Sequence, residues 1–144
     1  EHRIELVRTL NGVRYYNDSI ASSPTRTIAG LRSFHQKVIL IAGGYDKHIP
    51  FEVLGKEVQE HVKTLVLTGH TAEKIQKAVV ESEGYQDGHP AILMEPDFKQ
   101  AVLKASQAAE EGDVVILSPA CASFDHFKNF AQRGQTFKAI VNEL

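Results

Sequence analysis

Several short runs of the chain are apolar throughout: Val38–Ala42, Leu65–Leu67, Ala91–Met94 and Val114–Leu117. Between them apolar residues recur at helical spacing. Ile28, Leu31 and Phe34 share a face, as do Phe51, Leu54 and Val58, then Ala72, Ile75 and Val79, then Phe98, Ala101, Val102 and Ala105. Strands with no polar alternation are buried on both faces, which in alternation with amphipathic helices predicts a mainly parallel sheet between two helical layers. The first segment differs. Ile4 and Leu6 alternate with polar residues up to Leu10, Asn11-Gly12 is a strong hairpin turn, and Val13–Tyr16 returns. The pattern predicts an α/β fold: a three-layer, Rossmann-like sandwich on a mainly parallel six-stranded sheet with an N-terminal antiparallel hairpin strand.

Punctuation sets the expected helix limits. Ser23-Pro24 reads as a cap followed by proline at the first helical position. Helical segments are expected over 51–61 and 71–82, and from Asp97, with Gln100 at the reciprocal capping position. The last helix is expected over about 125–142, with Phe127, Phe130, Phe137, Ile140 and Val141 apolar.

Composition narrows the class. The 144 residues are 42% hydrophobic and 24% charged, with a formal net charge of -2, which suits one globular domain and gives no broad basic footprint for nucleic acid. A single cysteine excludes an internal disulfide, and thiolate zinc spacing is absent. No signal pattern or bilayer-length apolar run is present, so a cytoplasmic protein is expected. The chain enters a strand pattern almost at once from Glu1, and so reads as a domain of a longer chain.

Ligands of such sheets bind beyond the carboxyl ends of the strands, and three loops there carry candidate chemistry. In Asn17–Ser23, Asp18 suits a sugar hydroxyl or a cation and Ser19, Ser22 and Ser23 suit oxyanions; the competing role is turn and helix capping. Gly43-Gly-Tyr-Asp-Lys-His48 offers Lys47 as a rim cation for a carboxylate or phosphate, or is a solvated loop; it is neither a P-loop nor a dinucleotide fingerprint. Ser118–Phe130 offers Ser123 near the expected start of the last helix, where free N–H groups favour an anion. Cys121 reads as a buried small hydrophobe rather than a nucleophile. Asp125, His126 and Lys128 read as surface residues, and His70 as a rim or cap residue.

His2-Arg3-Ile-Glu5, Gly12–Ser19, Leu40–Gly44 with Lys47, Leu67-Thr-Gly69 with Thr71–Lys74, and Leu117–Phe130 with Arg133-Gly134 and Phe137 carry a resemblance across the chain. The chain resembles the carboxyl-terminal domain of the ATP-dependent Mur ligases of peptidoglycan synthesis, and among them the D-glutamate-adding branch. The resemblance implies that residues 1–144 bring in the amino acid and close over the nucleotide. The amino-terminal and central domains would lie outside this chain and hold UDP-N-acetylmuramoyl-L-alanine, the ATP P-loop and Mg2+. It implies an acyl-phosphate route to the amide. Carried over by motif, Lys47 partners a D-glutamate carboxylate, Ser123 and the Phe124 backbone hold a carboxylate, Phe130 packs on the carbon chain, and Ser22 stands where a threonine is usual. Arg3 matches a phosphate contact and Asp18 a ribose contact. No residue of the chain is a metal ligand by this resemblance, and the full enzyme is expected to be a cytoplasmic monomer without membrane insertion.

One position departs. The resembling loops often read Asp-Ser-Lys-Ala-Thr-Asn, and here Ile20 stands at the lysine. With no P-loop, the chain alone is expected to be inactive. Another Mur ligase, a folylpolyglutamate synthetase-like ligase or a non-catalytic anion-binding module are the alternatives.

Overall fold

A computed structural model describes residues 1–144 as six strands and five helices. β1 (Glu5–Leu10) and β2 (Val13–Asn17) form the hairpin, with Asn11 and Gly12 at φ 53° and 77°, the left-handed pair that a tight hairpin turn requires. There follow α1 (Pro24–Leu31), β3 (Val38–Ala42), α2 (Leu54–His61), β4 (Val62–Leu67), α3 (Ala72–Val80), β5 (Ala91–Met94), α4 (Phe98–Ala108), β6 (Val114–Leu117) and α5 (Phe130–Asn142). The sheet order is β1-β2-β6-β3-β4-β5. Only β1–β2 is antiparallel; the other four pairings are parallel.

Strand alternation separates two cores. Val38, Leu40 and Ala42 join Leu31 of α1, Leu54 and Val58 of α2, and Ile75 and Val79 of α3. Ile39 and Ile41 point the other way, to Phe98, Ala101 and Val102 of α4 and Phe137 and Val141 of α5. Every β3 side chain is buried, and each large one stabilises the fold by about 1.5–3 kcal/mol. This is the expected three-layer α/β sandwich.

β6 comes last in the chain yet pairs between β2 and β3. The loops after β2, β3 and β6 therefore leave from adjacent strand ends, at a reversal of strand order where open α/β sheets bind ligands.

Four local expectations are corrected. α5 begins at Phe130, not near Asp125, capped by the Asn129 side chain on Gln132 N at 2.8 Å. The intervening 123–127 segment is a turn in which Ser123 O accepts from Phe127 N at 2.9 Å. Phe127 packs edge-on against Phe98, so its apolar character serves a turn and not the helix. Second, Ser23 sits at the α1 N-cap in an extended conformation, but its side chain makes no capping bond. Third, α2 starts at Leu54, three residues after Phe51. Fourth, the Asp97 side chain accepts from Gln100 N at 3.0 Å, but Asp97 N donates to Glu95 Oε1 and not to Gln100.

Candidate functional site

Backbone hydrogen bonds stitch the three loops together. Asp18 N donates to Leu117 O at 2.8 Å, Ala120 N to Ala21 O at 3.0 Å, Gly43 N to Pro119 O at 2.9 Å and Tyr45 N to Ala122 O at 2.9 Å. The 118–122 segment is thus the middle strip, with 17–23 on one side and 43–48 on the other. Arg133 of α5 locks it from below. Its buried guanidinium donates from Nε to Ser19 Oγ (3.0 Å), from Nη2 to Ser19 O (2.8 Å) and from Nη1 to Cys121 O (2.9 Å). Burial pushes its pKa down to about 10, which leaves it protonated at neutral pH. Thr71 Oγ1 accepts from Gly44 N at 3.0 Å and lies 3.2 Å from Cys121 Sγ. Cys121 is buried, and burial pushes its thiol up to about 11. That matches its reading as a packed residue, because the thiolate is the nucleophilic form.

On the α1 side lies a cavity of about 460 Å³ lined in part by Arg3, Asp18, Ile20, Arg26 and Gly30. Asp18 is 3% exposed. Its Oδ1 accepts from Ile4 N at 3.2 Å and its Oδ2 from Ser118 Oγ at 2.7 Å. Burial raises the Asp18 carboxyl above its usual value, against these hydrogen bonds and the field of Arg3. A carboxylate oxygen has two acceptor sites, so each Asp18 oxygen retains capacity for a ligand donor. Gly30 of α1 makes room: a Cβ there would lie 2.8 Å from Asp18 Oδ2.

Arg3 is exposed between two residues in left-handed conformations, His2 (φ 64°) and Ile4 (φ 44°). A β-branched residue there is strained, and the surroundings hold it. Ile4 N bonds Asp18, while Glu5 Oε1 accepts from His2 N at 3.1 Å and Asn17 Nδ2 at 3.0 Å, and Glu5 Oε2 from Lys138 Nζ at 2.9 Å. Burial alone would raise Glu5; the bonds from Lys138, His2 and Asn17 outweigh it and hold the carboxyl at about 2.

On the β3 side, Lys47 is exposed, with Nζ 5.7 Å from the centroid of the Phe124 ring. Tyr45 meets the same ring edge-on at 6.0 Å. Ser123 is 3% exposed and its hydroxyl makes no hydrogen bond within the fold, so its donor is not consumed. It does not lie at a helix start, so the helix-terminus argument for an anion there is withdrawn. Asp125, expected at the surface, has a side chain only 3% exposed. It is tucked over Gly69, whose φ of 76° and missing Cβ leave it room; a Cβ would stand 2.5 Å from Asp125 Oδ2. Lys74 pairs with Asp46, so Lys47 remains the unpaired cation of its loop.

Lys47, Ser123 and Phe124 are thus gathered at one rim, and Arg3 and Asp18 share one cavity. Phe130 stands apart, edge-on to His2 at 6.0 Å, its carbonyl accepting from Ser19 Oγ at 2.7 Å. That bond and Arg133 occupy Ser19, removing it as an oxyanion donor. Ser22 is half-buried with its hydroxyl unpartnered, one residue beyond the Ala21–Ala120 bond. Arg133, Asp125 and Arg26 carry no role in the spacing argument, because each reaches the site from a different element and no local pattern marks it.

A family model described as "Mur ligase, glutamate ligase domain" matches residues 2–121. The chain is 58% identical over 144 residues to the UDP-N-acetylmuramoylalanine–D-glutamate ligase of Clostridium novyi, covering all of this chain and 31% of that protein. It is 60% identical over 147 aligned positions to the ligase of the same name from Acetivibrio thermocellus, again covering all of this chain and 31% of the relative. The chain therefore spans about a third of the length of these curated relatives. Among solved structures, a murein peptide ligase of Psychrobacter arcticus superposes with a TM-score of 0.61 at 16% identity, over 96% of this chain and 30% of that one. A UDP-N-acetylmuramoyl-L-alanyl-D-glutamate–2,6-diaminopimelate ligase does so at 0.60 and 12%, over 99% and 32%. At such identities the likeness concerns the fold. No helix is long and apolar enough to cross a membrane.

Proposed function

The chain belongs to the Mur ligase family, in its glutamate ligase domain, and from that premise we propose that residues 1–144 are the carboxyl-terminal domain of an ATP-dependent ligase joining D-glutamate to UDP-N-acetylmuramoyl-L-alanine in peptidoglycan precursor synthesis. The observation that carries the reading is identity of 58% or more, across the whole chain, to ligases named for D-glutamate.

In this reading ATP phosphorylates the alanine carboxylate. The D-glutamate amine attacks the acyl carbon, phosphate leaves, and the amine loses its proton as the amide forms. Residues of this chain position reactants. Lys47 meets a D-glutamate carboxylate as a point charge. Ser123 Oγ, unpartnered, and the Phe124 N–H hold a carboxylate beside it. Ser22 supplies a further hydroxyl, and Phe130 lines the carbon chain once the domains close. Asp18, with spare acceptor sites in a preformed cavity, takes the ribose hydroxyls, and Arg3 meets phosphate. The donor set suits a nucleotide but not Mg2+: Asp46 is paired with Lys74, and Asp18 is buried among neutral donors with Arg3 nearby. Magnesium, which offsets phosphoryl charge, and the P-loop then belong to a central domain, and an amino-terminal domain holds the UDP-muramoyl substrate. Holding both reactants in register is worth about 7–11 kcal/mol in favourable cases, and closure brings it about.

The test is phosphate release by the full-length protein with ATP, Mg2+, UDP-N-acetylmuramoyl-L-alanine and either D- or L-glutamate. Turnover with D-glutamate, and a Lys47→Ala variant whose KM for D-glutamate rises while that for ATP holds, are the expected results. Turnover with another amino acid instead, or steady ADP release by the 144 residues alone, would overturn the reading.

A further inference from the structure

The cavity beside Asp18 holds a second guanidinium. Arg26, Ala29 and Gly30 line it from one face of α1, with Ser33 in the turn that follows. Arg26 is exposed and makes no hydrogen bond or ion pair within the fold, unlike Arg32 at the C-cap of the same helix, which pairs with Glu57 at 2.7 Å. The small residues Ala29 and Gly30, three and four positions on, leave the space over Asp18 open. Arg3 lines the same cavity and likewise makes no hydrogen bond or ion pair within the fold. Two free guanidiniums around one deeply set acceptor suit a ligand with several anionic oxygens at one end and hydroxyl donors at the other. A nucleoside di- or triphosphate has that form.

Ile20 lines the same cavity, at the position where resembling loops carry a lysine. Here it offers an apolar wall and no cation. We propose that Arg26 supplies the second positive contact to the nucleotide phosphates, from the face of α1, replacing the cation that Ile20 removes from the loop. The proposal rests on the nucleotide reading of this cavity and adds a residue to it. The planar fork of arginine bonds two phosphate oxygens at once. Arg3 and Arg26 then grip the phosphates from two sides while Asp18 fixes the ribose.

Adenosine, AMP, ADP and ATP titrated into the protein, followed by the backbone amide resonances of 18–33, test this. Arg26→Ala is expected to weaken ADP and ATP about ten-fold, the worth of one charge-assisted contact, and to leave adenosine unchanged. Adding Ile20→Lys to Arg26→Ala is expected to recover most of the loss. Equal weakening of adenosine and ATP would make Arg26 a structural residue and overturn the proposal, as would unchanged ADP affinity or a failed rescue. Asp18→Asn and Arg3→Ala separate the two levels. If both leave ATP affinity intact, or wild type shows no nucleotide response, the nucleotide reading falls with the proposal. If they weaken ATP while Arg26→Ala does not, only the role of Arg26 falls.

Discussion

Asp18 and Lys47 stand on either side of the same central loop, yet their surroundings are opposite. Asp18 is buried, held by Ile4 N and Ser118 Oγ, and shaped from behind by Gly30. Lys47 is exposed, and it lies over the ring of Phe124, a residue itself 58% exposed. One side is a cavity formed within the domain; the other is a set of exposed ends. The difference follows from what each side chain must leave behind. A carboxylate set deep needs donors built around it, whereas a lysine kept in water costs little until a ligand arrives. Under the proposed function, the Asp18 side would be the nucleotide side, built ahead of closure, and the Lys47 side the amino-acid side, completed by it.

Both sides hang on Arg133, which bonds Ser19 in the loop of Asp18 and Cys121 in the central loop between the two sides. Its removal is the largest perturbation expected. Arg133→Ala strands the Ser19 and Cys121 carbonyls and leaves a void, at a cost of about 3 kcal/mol or more. Denaturant unfolding should read that loss, and the responses to nucleotide and to D-glutamate should fall together. If only one response fell, the two sides would not share this support.

Gly30→Ala separates them. The new Cβ would lie 2.8 Å from Asp18 Oδ2, so the carboxylate must move off its donors. The expected cost is about 1–3 kcal/mol, with nucleotide binding weakened and the Lys47–Phe124 contact intact. Amide shifts confined to the loops around 18 and 118 would support this; equal shifts around 47 and 124 would show that the sides are coupled.

Much of this division was hidden in the chain, for reasons particular to each residue. The strands were plain, because β3 and β6 are buried on both faces and admit no polar residue. The hairpin was plain because Asn11-Gly12 meets a local backbone demand. The start of α5 was misplaced because Phe127 fits the apolar period of a helix while it packs from a turn onto Phe98. Lys47 and Asp18 were legible as polar residues at strand ends. Asp125 was not, since its burial depends on Gly69 from another loop, and Arg133 was not, since a buried guanidinium among neutral acceptors has no sequence signature. Which serines are free was equally unreadable: Ser19 and Ser118 are consumed by the fold, and Ser22 and Ser123 are left open.

Titration gives a smaller handle on the finished side. Burial raises the Asp18 carboxyl. Such a group favours the fold while protonated, below its ordinary value of 3.8, and that contribution is lost as pH rises through its higher folded value. Asp18→Asn keeps the shape without a charge to bury. At neutral pH the variant should be as stable as wild type or better by about 1 kcal/mol, the scale of one rearranged buried hydrogen bond. The advantage should shrink as pH falls toward 3.8, while nucleotide binding is weakened throughout. Melting curves across that pH range check the sign; a variant less stable at neutral pH than at acid pH, relative to wild type, would mean the hydrogen bonds outweigh burial.

The open side should barely register in stability. Phe124 is mostly exposed, so Phe124→Ala is expected to change unfolding free energy by no more than about 0.5 kcal/mol. It nonetheless removes the ring on which Lys47 rests, a contact of about 0.5–1 kcal/mol at an exposed site. In the full-length protein that corresponds to a rise of about two- to five-fold in the KM for D-glutamate, with the KM for ATP unchanged. The small size is itself informative, because a residue that only steadies a mobile cation is worth its own contact and little more. A loss of a hundred-fold or greater would mean that Phe124 walls a pocket already formed, and that the amino-acid side is as finished as the nucleotide side.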